Sequence, residues 1–369
     1  KKKVGMGFAQ GLLWAYNSLY VMVNHNPNDE FKKGSGLYRL QDTDNDDKLD
    51  KITEILALDG SGEHGPHSIV LGPDSAIYIV AGNFTKVPKM DSYRIKPNDS
   101  VDNLIPLILD THGHDSDSHN SGGWIAKTDP EGKHWELISA GFRNPFDIAF
   151  NNEGELFTYD SDMEWDFGMP WYRPTRILHV TSGSEFGWRK GDAKWDSRFL
   201  DNLPAVLNIG QGSPTNFINP SQAKFPEKYR NSLLAFDWSF GIIYALELKS
   251  EGASYTAKAE EFISGSPLPL TDGVVGPDGA LYFLTGGRKL DSDLYRVYYK
   301  DQDKVKAELK KKDLPELVKL RREIEQYHTA SAPGTAEEIW EYLGHEDRHI
   351  RYAARVALEH QPLSSWENL

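Results

Sequence analysis

Two histidines, His64 and His67, lie in the stretch GEHGPHSIVLGPDSAIYIVAGN, just ahead of a predicted strand–turn–strand unit. An imidazole titrates near neutral pH, so a histidine at such a position could take the proton of a substrate hydroxyl. The alternative is a loop histidine that hydrogen-bonds a neighbouring strand. His64 is therefore the candidate general base, and for His67 we expect a structural role or a second polar wall of the site.

A second candidate is the stretch GFRNPFDIAF, in which Arg143 and Asn144 precede a proline. A planar guanidinium can bind a carboxylate, a quinone oxygen or sugar hydroxyls through paired hydrogen bonds. The alternative is an ion pair between neighbouring strands. We expect Arg143 and Asn144 to orient a cofactor or substrate.

The densest group of chemically active side chains lies in YDSDMEWDFGMPWYRPTR, residues 159–176. Carboxylates alternate along it as ligands do in an oxygen-rich calcium loop, at Asp160, Asp162, Glu164 and Asp166. Flat rings of the kind that sugars stack on are Trp165, Trp171 and Tyr172. Paired carboxylates could also catalyse glycoside hydrolysis, and a solvated acidic loop is the alternative without function. We take Asp162 as a candidate catalytic carboxylate.

Two further segments could bind metals. DTDNDDKLD has the first, third, fifth and ninth ligand positions of a calcium loop, at Asp42, Asp44, Asp46 and Asp50, but no glycine at the sixth. HGHDSDSH, from His112 to His119, carries histidines and aspartates that could hold a transition metal. Its Ser, Asp and Gly content favours a flexible loop instead.

These residues need a scaffold, and the chain repeats one. Turn–strand units recur as NSLYVMVN, SAIYIVAGN, GELFTYDSD, NSLLAFDWS and GALYFLTGG, several with a strand just upstream. Repeats of this kind predict an all-β propeller over residues 1–300, of the six-bladed type with five blades evident. Residues 301–369 have helical periodicity and predict a small α-helical, HEAT-like segment.

Composition narrows the function. The chain has 369 residues, a formal net charge of −14 and no cysteine. The acidic surface disfavours nucleic acid, and the lack of cysteine excludes disulfides, zinc–thiolate sites and covalently attached c-type haem within this chain. No apolar run is long enough to span a membrane, and we expect no signal peptide in the residues given.

GFRNPFDIAF, with His64 placed before GPD, resembles the soluble glucose and sorbosone dehydrogenases. The wider stretch from Gly122 to Trp188 looks like the membrane-bound dehydrogenases of planctomycetes and verrucomicrobia, which join such a propeller to HEAT repeats and often to a cytochrome c module. The resemblance implies a six-bladed fold, pyrroloquinoline quinone (PQQ), calcium and His64 as base. The cofactor contacts assigned on this basis are Arg143, Asn144, His67, Trp165, Trp171, Tyr172 and Arg173. Ser239, Pro269 and Thr271 stand where the family has a lysine and paired arginines.

The resulting hypothesis is a periplasmic or secreted oxidoreductase that oxidises a sugar or alcohol. Electrons would pass to a quinone and then to a haem protein or cytochrome c domain. One rival is a carbohydrate-active hydrolase or lyase on the same scaffold. The other is a non-catalytic propeller that binds glycans or proteins.

Overall fold

The computed structural model describes residues 6–95, 122–191, 196–305, 309, 313–329 and 334–369. Its strands form five sheets in chain order, with antiparallel neighbours except for one short parallel pair. This succession of up-and-down sheets is a β-propeller with five blades, followed by short helices, and it confirms the predicted fold class. The six-bladed count stays a prediction.

The strands of the first three blades are as follows. Blade one contains β1 (Ala9–Ala15), β2 (Ser18–Val23), β3 (Gly36–Gln41) and β4 (Lys51–Ala57). Blade two contains β5 (Pro66–Leu71), β6 (Ile77–Ala81), β7 (Ser92–Tyr93), β8 (Gly123–Thr128) and β9 (Trp135–Phe142). Blade three contains β10 (Pro145–Phe150), β11 (Leu156–Asp160), β12 (Thr175–Val180) and β13 (Leu207–Gly210).

The remaining two blades and the helices complete the chain. Blade four contains β14 (Pro214–Ile218), β15 (Leu233–Asp237), β16 (Ile242–Glu251) and β17 (Ser254–Ser264). Blade five contains β18 (Leu270–Val275), β19 (Leu281–Thr285) and β20 (Leu294–Val297). The α-helices are α1 (Glu227–Arg230), α2 (Glu316–Glu325), α3 (Thr335–Trp340) and α4 (Arg348–Glu359).

The hairpin of β5 and β6 shows how the sequence builds a blade. The turn is closed by a bond from Gly72 N to the Ala76 carbonyl at 2.8 Å, and Ser75 adopts a φ of 64° within it. All five residues of β6 are buried, as its continuous apolar sequence IYIVA predicts. The pairing of Pro66 with Ala81 then brings the residues just before β5 next to those just after β6.

The helical residues form a small core of their own. Ile350, Ala353, Ala354 and Ala357 of α4 are buried, as their i, i+3, i+4, i+7 spacing predicts. Asp347 caps this helix by accepting hydrogen bonds from the backbone N–H groups of His349 and Ile350. The HEAT-like character of the segment stays a prediction.

The chain divides into two compact units. Unit 1 contains residues 1–148, 163–173 and 185–196, and unit 2 contains 149–162, 174–184 and 197–369. The domain boundary predicted near residue 300 rests on the change in amino-acid composition there and stays a prediction. The segment from His112 to His119 lies outside the described residues. Across the described residues, every helix is too short or too polar to cross a bilayer.

Candidate functional site

His64 lies buried in unit 1, at the entrance to β5. Its Nδ1 is 2.6 Å from Oδ1 of Asn83, and its ring stacks on Phe84 with centroids 4.6 Å apart. Because an amide oxygen only accepts, Nδ1 must carry the hydrogen. In the neutral ring, Nε2 then holds the lone pair, which is the form a general base needs.

His67 lies three residues further on and is buried as well. Its Nε2 donates to Oδ1 of Asn144 at 2.8 Å, and its ring stacks on Phe146 at 4.2 Å. Burial lowers the pKa of His67 to about 4, against the smaller opposing effect of the Asn144 hydrogen bond. Nδ1 of this neutral ring is a buried acceptor with no hydrogen-bond partner among the described residues. A ligand donor could satisfy it.

Backbone contacts hold the two histidines and Asn144 together. The Asn83 N–H donates to the Arg143 carbonyl at 2.9 Å, and the Phe84 N–H donates to the His64 carbonyl at 3.0 Å. Asn144 Nδ2 donates to the Glu63 carbonyl at 3.2 Å, which fixes the orientation of the amide. At Gly82 an added Cβ would lie 2.3 Å from Oδ1 of Asn144, so only glycine fits there.

The acidic stretch does not gather its carboxylates around one point. In unit 1, Glu164 is exposed and lies 3.8 Å from the Arg143 guanidinium, whereas Asp166 is fully buried and bound to Arg173 at 2.7 Å. In unit 2, Asp160 is fully buried and bound to Arg176 at 2.9 Å. Asp166 and Asp160, which the alternating pattern predicts as metal ligands, are thus each paired with an arginine instead.

The remaining residues of that stretch are split between the two units. Asp162, the candidate catalytic carboxylate, lies in unit 2 and accepts a bond from the Gly212 N–H at 3.4 Å. Trp165, Tyr172 and Arg173 of unit 1 are partly buried, whereas Trp171 is 50% exposed. Trp171 is therefore the aromatic side chain of this stretch that offers most surface to a ligand.

Asp42, Asp44 and Asp50 of the other acidic segment do come together, in the turn between β3 and β4. Their carboxylate oxygens lie within 4.8 Å of one another, the one such group among the described residues. Asp46 instead pairs with Lys48. Repulsion from Asp46, with smaller contributions from burial and Asp50, raises the pKa of Asp44. A divalent cation would relieve this repulsion, so three of the four predicted ligands remain candidates for calcium.

A second buried histidine cluster, in unit 2, was not expected from the sequence. His179 Nε2 is 2.7 Å from Oε2 of Glu155, and its Nδ1 is 2.8 Å from Oγ of Ser254. Glu155 also receives Arg321 and Arg322 of α2, each at 2.6 Å. The Ser–His–Glu connectivity is that of a nucleophile with its base, but Ser254 is only 2% exposed and the carboxylate is held by two arginines. We interpret this cluster as structural.

Asn83 is the main residue of the unit 1 site that sequence reasoning missed. It lies just after β6, and the signal that could have found it is the hairpin itself. The pairing of Pro66 with Ala81 places position 83 beside position 64. Phe84 and Phe146 stack on His64 and His67. Phe84 comes directly after Asn83 in the chain, and Phe146 comes directly after Pro145.

No family model matches the chain, and no curated protein matches it in sequence. Solved structures do share its fold. An oxidoreductase of Thermus thermophilus, assigned as a glucose dehydrogenase, is 20% identical with a TM-score of 0.55, covering 79% of this chain and 84% of its own. The soluble aldose sugar dehydrogenase of Escherichia coli, solved in its apo form, is 15% identical with a TM-score of 0.54, covering 76% and 78%.

A third structure contains bound PQQ. The aldose sugar dehydrogenase of Streptomyces coelicolor, in its PQQ-bound form, is 13% identical with a TM-score of 0.51, covering 76% of this chain and 75% of its own. At these identities the likeness shows the β-propeller fold. Activity must be argued from the residues of the site.

Proposed function

We propose that this protein is a sugar or alcohol oxidoreductase in which His64 takes the proton of the reacting hydroxyl. The observation that carries the proposal is the buried His64–Asn83 pair, which places the hydrogen on Nδ1 and so leaves Nε2 as the basic nitrogen of the neutral tautomer. Sugar dehydrogenases with the same fold support the choice of substrate class. The proposal places the protein in the periplasm or outside the cell, with a haem protein as final electron acceptor.

The chain's own residues account for the proton. The hydroxyl proton moves to Nε2 of His64, and Asn83 Oδ1 stabilises the resulting imidazolium by accepting from Nδ1. Asn144 and Arg143 lie next to the histidines and would orient substrate oxygens. The hydride that leaves the alcohol carbon needs a two-electron acceptor, which side chains of these types do not supply.

PQQ is the acceptor that the Streptomyces structure suggests, but the unit 1 residues do not fit it. The quinone carries several carboxylates and needs cationic partners. Arg173 is already bound to the buried Asp166, and Arg143 faces Glu164. Arg143 is the better candidate of the two because its carboxylate neighbour is exposed and can move away. No step through the quinone is therefore proposed. Calcium is assigned on separate grounds to the group of Asp42, Asp44 and Asp50, whose carboxylate oxygens lie close together.

The test is dye reduction by the purified protein over a panel of sugars and alcohols, with and without PQQ and calcium. We expect dye reduction that requires a hydroxyl substrate and in which the dye itself takes the two electrons, whether or not PQQ is added. If no combination reduces the dye, the proposal is wrong. Product analysis without the dye separates the rival hydrolase or lyase, which would cleave a glycan and need no acceptor.

The hydrolase hypothesis has less support from the structure. An acid and a base for glycoside cleavage must both reach the substrate. Asp160 and Asp166 are fully buried and each is bound to an arginine, so neither is presented to a ligand. The exposed face of Trp171 favours the other alternative, a propeller that binds glycans without turnover.

A further inference from the structure

Residues 163–173 form a small hairpin in unit 1, which we call the aromatic hairpin. Met163 and Arg173 exchange backbone hydrogen bonds of 2.8 and 2.6 Å, and Asp166 and Met169 exchange bonds of 2.9 and 3.1 Å. These pairs close the hairpin at its base and near its tip. Its side chains are thus presented from a fixed backbone.

An ion pair orients the rings of this hairpin. Arg173 Nε donates to Oδ2 of the buried Asp166 at 2.7 Å. The same guanidinium lies 5.4 Å from the ring centroid of Trp171 and 5.7 Å from that of Phe167. The two rings meet edge to face at 6.0 Å. Trp171 is therefore held by a cation and a second ring.

The ordered tryptophan is nevertheless open to solvent. Trp171 is 50% exposed and Met169, two residues earlier, is 47% exposed. Holding a large side chain in one orientation costs conformational entropy, and here the ordering does not bury the ring. Isolated exposed apolar residues are common, but a ring fixed by an arginine that is itself bound to a buried carboxylate is suited to contact with a ligand.

The surroundings of the ring favour a carbohydrate. Glu164 lies on the same hairpin and is exposed, so it can accept from hydroxyl groups. The net charge of −14 disfavours an anionic ligand. A stable protein partner needs roughly 800 Å² on each side, and the exposed apolar side chains here occupy one hairpin tip.

The aromatic hairpin is also connected to the histidine cluster. Glu164 lies 3.8 Å from the guanidinium of Arg143, and Asn144, the next residue, receives the hydrogen bond of His67. We propose that Trp171 is an accessory stacking position for a second sugar unit of a glycan whose reactive unit lies at His64. The inference rests on the proposed function and predicts a preference for oligosaccharides over monosaccharides.

The test is calorimetric binding of glucose and of malto- and cello-oligosaccharides of increasing length, with no electron acceptor present. Wild-type affinity should rise from one unit to longer chains. Trp171→Ala should remove that rise, a loss of roughly tenfold for the longer chains with little change for glucose, and Trp171→Phe should restore most of it. Trp14→Ala is the matched control because Trp14 is 62% exposed on β1, outside the hairpin.

Three outcomes would overturn the inference. They are a wild-type protein that binds no member of the series, a Trp171→Ala variant with unchanged length dependence, and an equal loss for glucose and longer chains. Length-dependent binding without dye reduction would support the stacking position and reject the oxidation. Dye reduction with a small alcohol, together with binding that does not depend on chain length, would support the oxidation and reject the stacking position.

Discussion

The two buried histidine clusters of this protein have similar geometry and different chemistry. In unit 1, His64 and His67 have neutral amide partners, Asn83 and Asn144. In unit 2, His179 contacts Glu155, whose charge is compensated by Arg321 and Arg322 of α2. In the first cluster, Nδ1 of His67 has no hydrogen-bond partner among the described residues. The second cluster joins α2 to blades three and four.

This difference indicates which cluster is suited to chemistry. The unsatisfied acceptor on His67 can receive a hydrogen bond from a ligand, and His64 beside it can take the proton. A buried cluster of balanced charges is sensitive to the loss of any member and offers nothing to a ligand. We therefore expect substitutions in unit 2 to change stability and substitutions at His64 and Asn83 to change turnover.

The largest effect on stability is expected for Glu155→Gln. Burial alone would raise the pKa of Glu155, but Arg321, His179 and Arg322 outweigh it and hold that pKa well below its usual range. Removing the charge leaves the buried Arg321 with Glu325 as its one carboxylate partner among the described residues and should lower the free energy of unfolding by about 3–5 kcal/mol, as measured in urea near pH 7.

The control for this variant is Glu260→Gln, which breaks the exposed pair with Lys228 and should leave the free energy of unfolding nearly unchanged. The contribution of Glu155 is present above the pKa of the unfolded chain and is lost as the pH falls. The difference from wild type should therefore shrink below about pH 4. Equal losses for both variants would contradict the structural role.

A smaller effect is expected from the titration of His67. Its pKa is about 4 in the folded protein because of burial, against about 6.5 in an unfolded chain. The unfolded chain therefore binds the proton first, and stability falls as the pH drops from about 6.5 to 4, by up to roughly 3 kcal/mol. A variant that cannot titrate, His67→Gln, should lack this part of the pH dependence in urea unfolding. Parallel curves for the two proteins would show that His67 does not titrate this way.

Next in size is the effect of Asn83 on catalysis. Asn83→Leu removes the acceptor for Nδ1 of His64 and should lower kcat by about 10- to 100-fold, because the wrong tautomer becomes accessible. Asn83→Asp keeps the acceptor and adds a charge that favours imidazolium, so the acid limb of the pH–rate profile should move to higher pH. A merely structural Asn83 would leave the profile of Asn83→Asp unchanged.

The smallest effect is expected from calcium. Binding at Asp42, Asp44 and Asp50 with a Kd of about 1 mM would stabilise the protein by about 1.4 kcal/mol in 10 mM calcium. Asp44→Asn should abolish the rise in the unfolding midpoint, whereas Asp47→Asn, outside the group, should keep it. A calcium response that survives Asp44→Asn would place the ion elsewhere.

The sequence predicts the blades well because each hairpin is encoded locally. Alternating apolar residues and turns such as Gly72–Ser75 define strands with neighbours close in the chain. His64 and Asn144 were found as candidates, and Asn83 could have been found by extending the β5–β6 pairing. The pattern around Asp160 is misleading because its partner Arg176 lies directly opposite on β12, and cross-strand register is not visible in a spacing pattern.

The Glu155 cluster could not have been predicted in this way. Its members Glu155 and Arg321 lie 166 residues apart in the chain, and their contact depends on how α2 packs in unit 2. A single glutamate after a turn has the same local signature as any solvated residue. Only the tertiary fold shows that it is buried with two arginines.

The most direct test compares His64→Gln with His179→Gln in dye-linked oxidation of the best substrate, with rates expressed per folded molecule. We predict that His64→Gln lowers kcat by about 10²- to 10⁴-fold, whereas His179→Gln loses stability and keeps kcat within about threefold. Wild-type turnover by His64→Gln would contradict the role of His64 as the base. So would a kcat for folded His179→Gln that falls as far as that of His64→Gln.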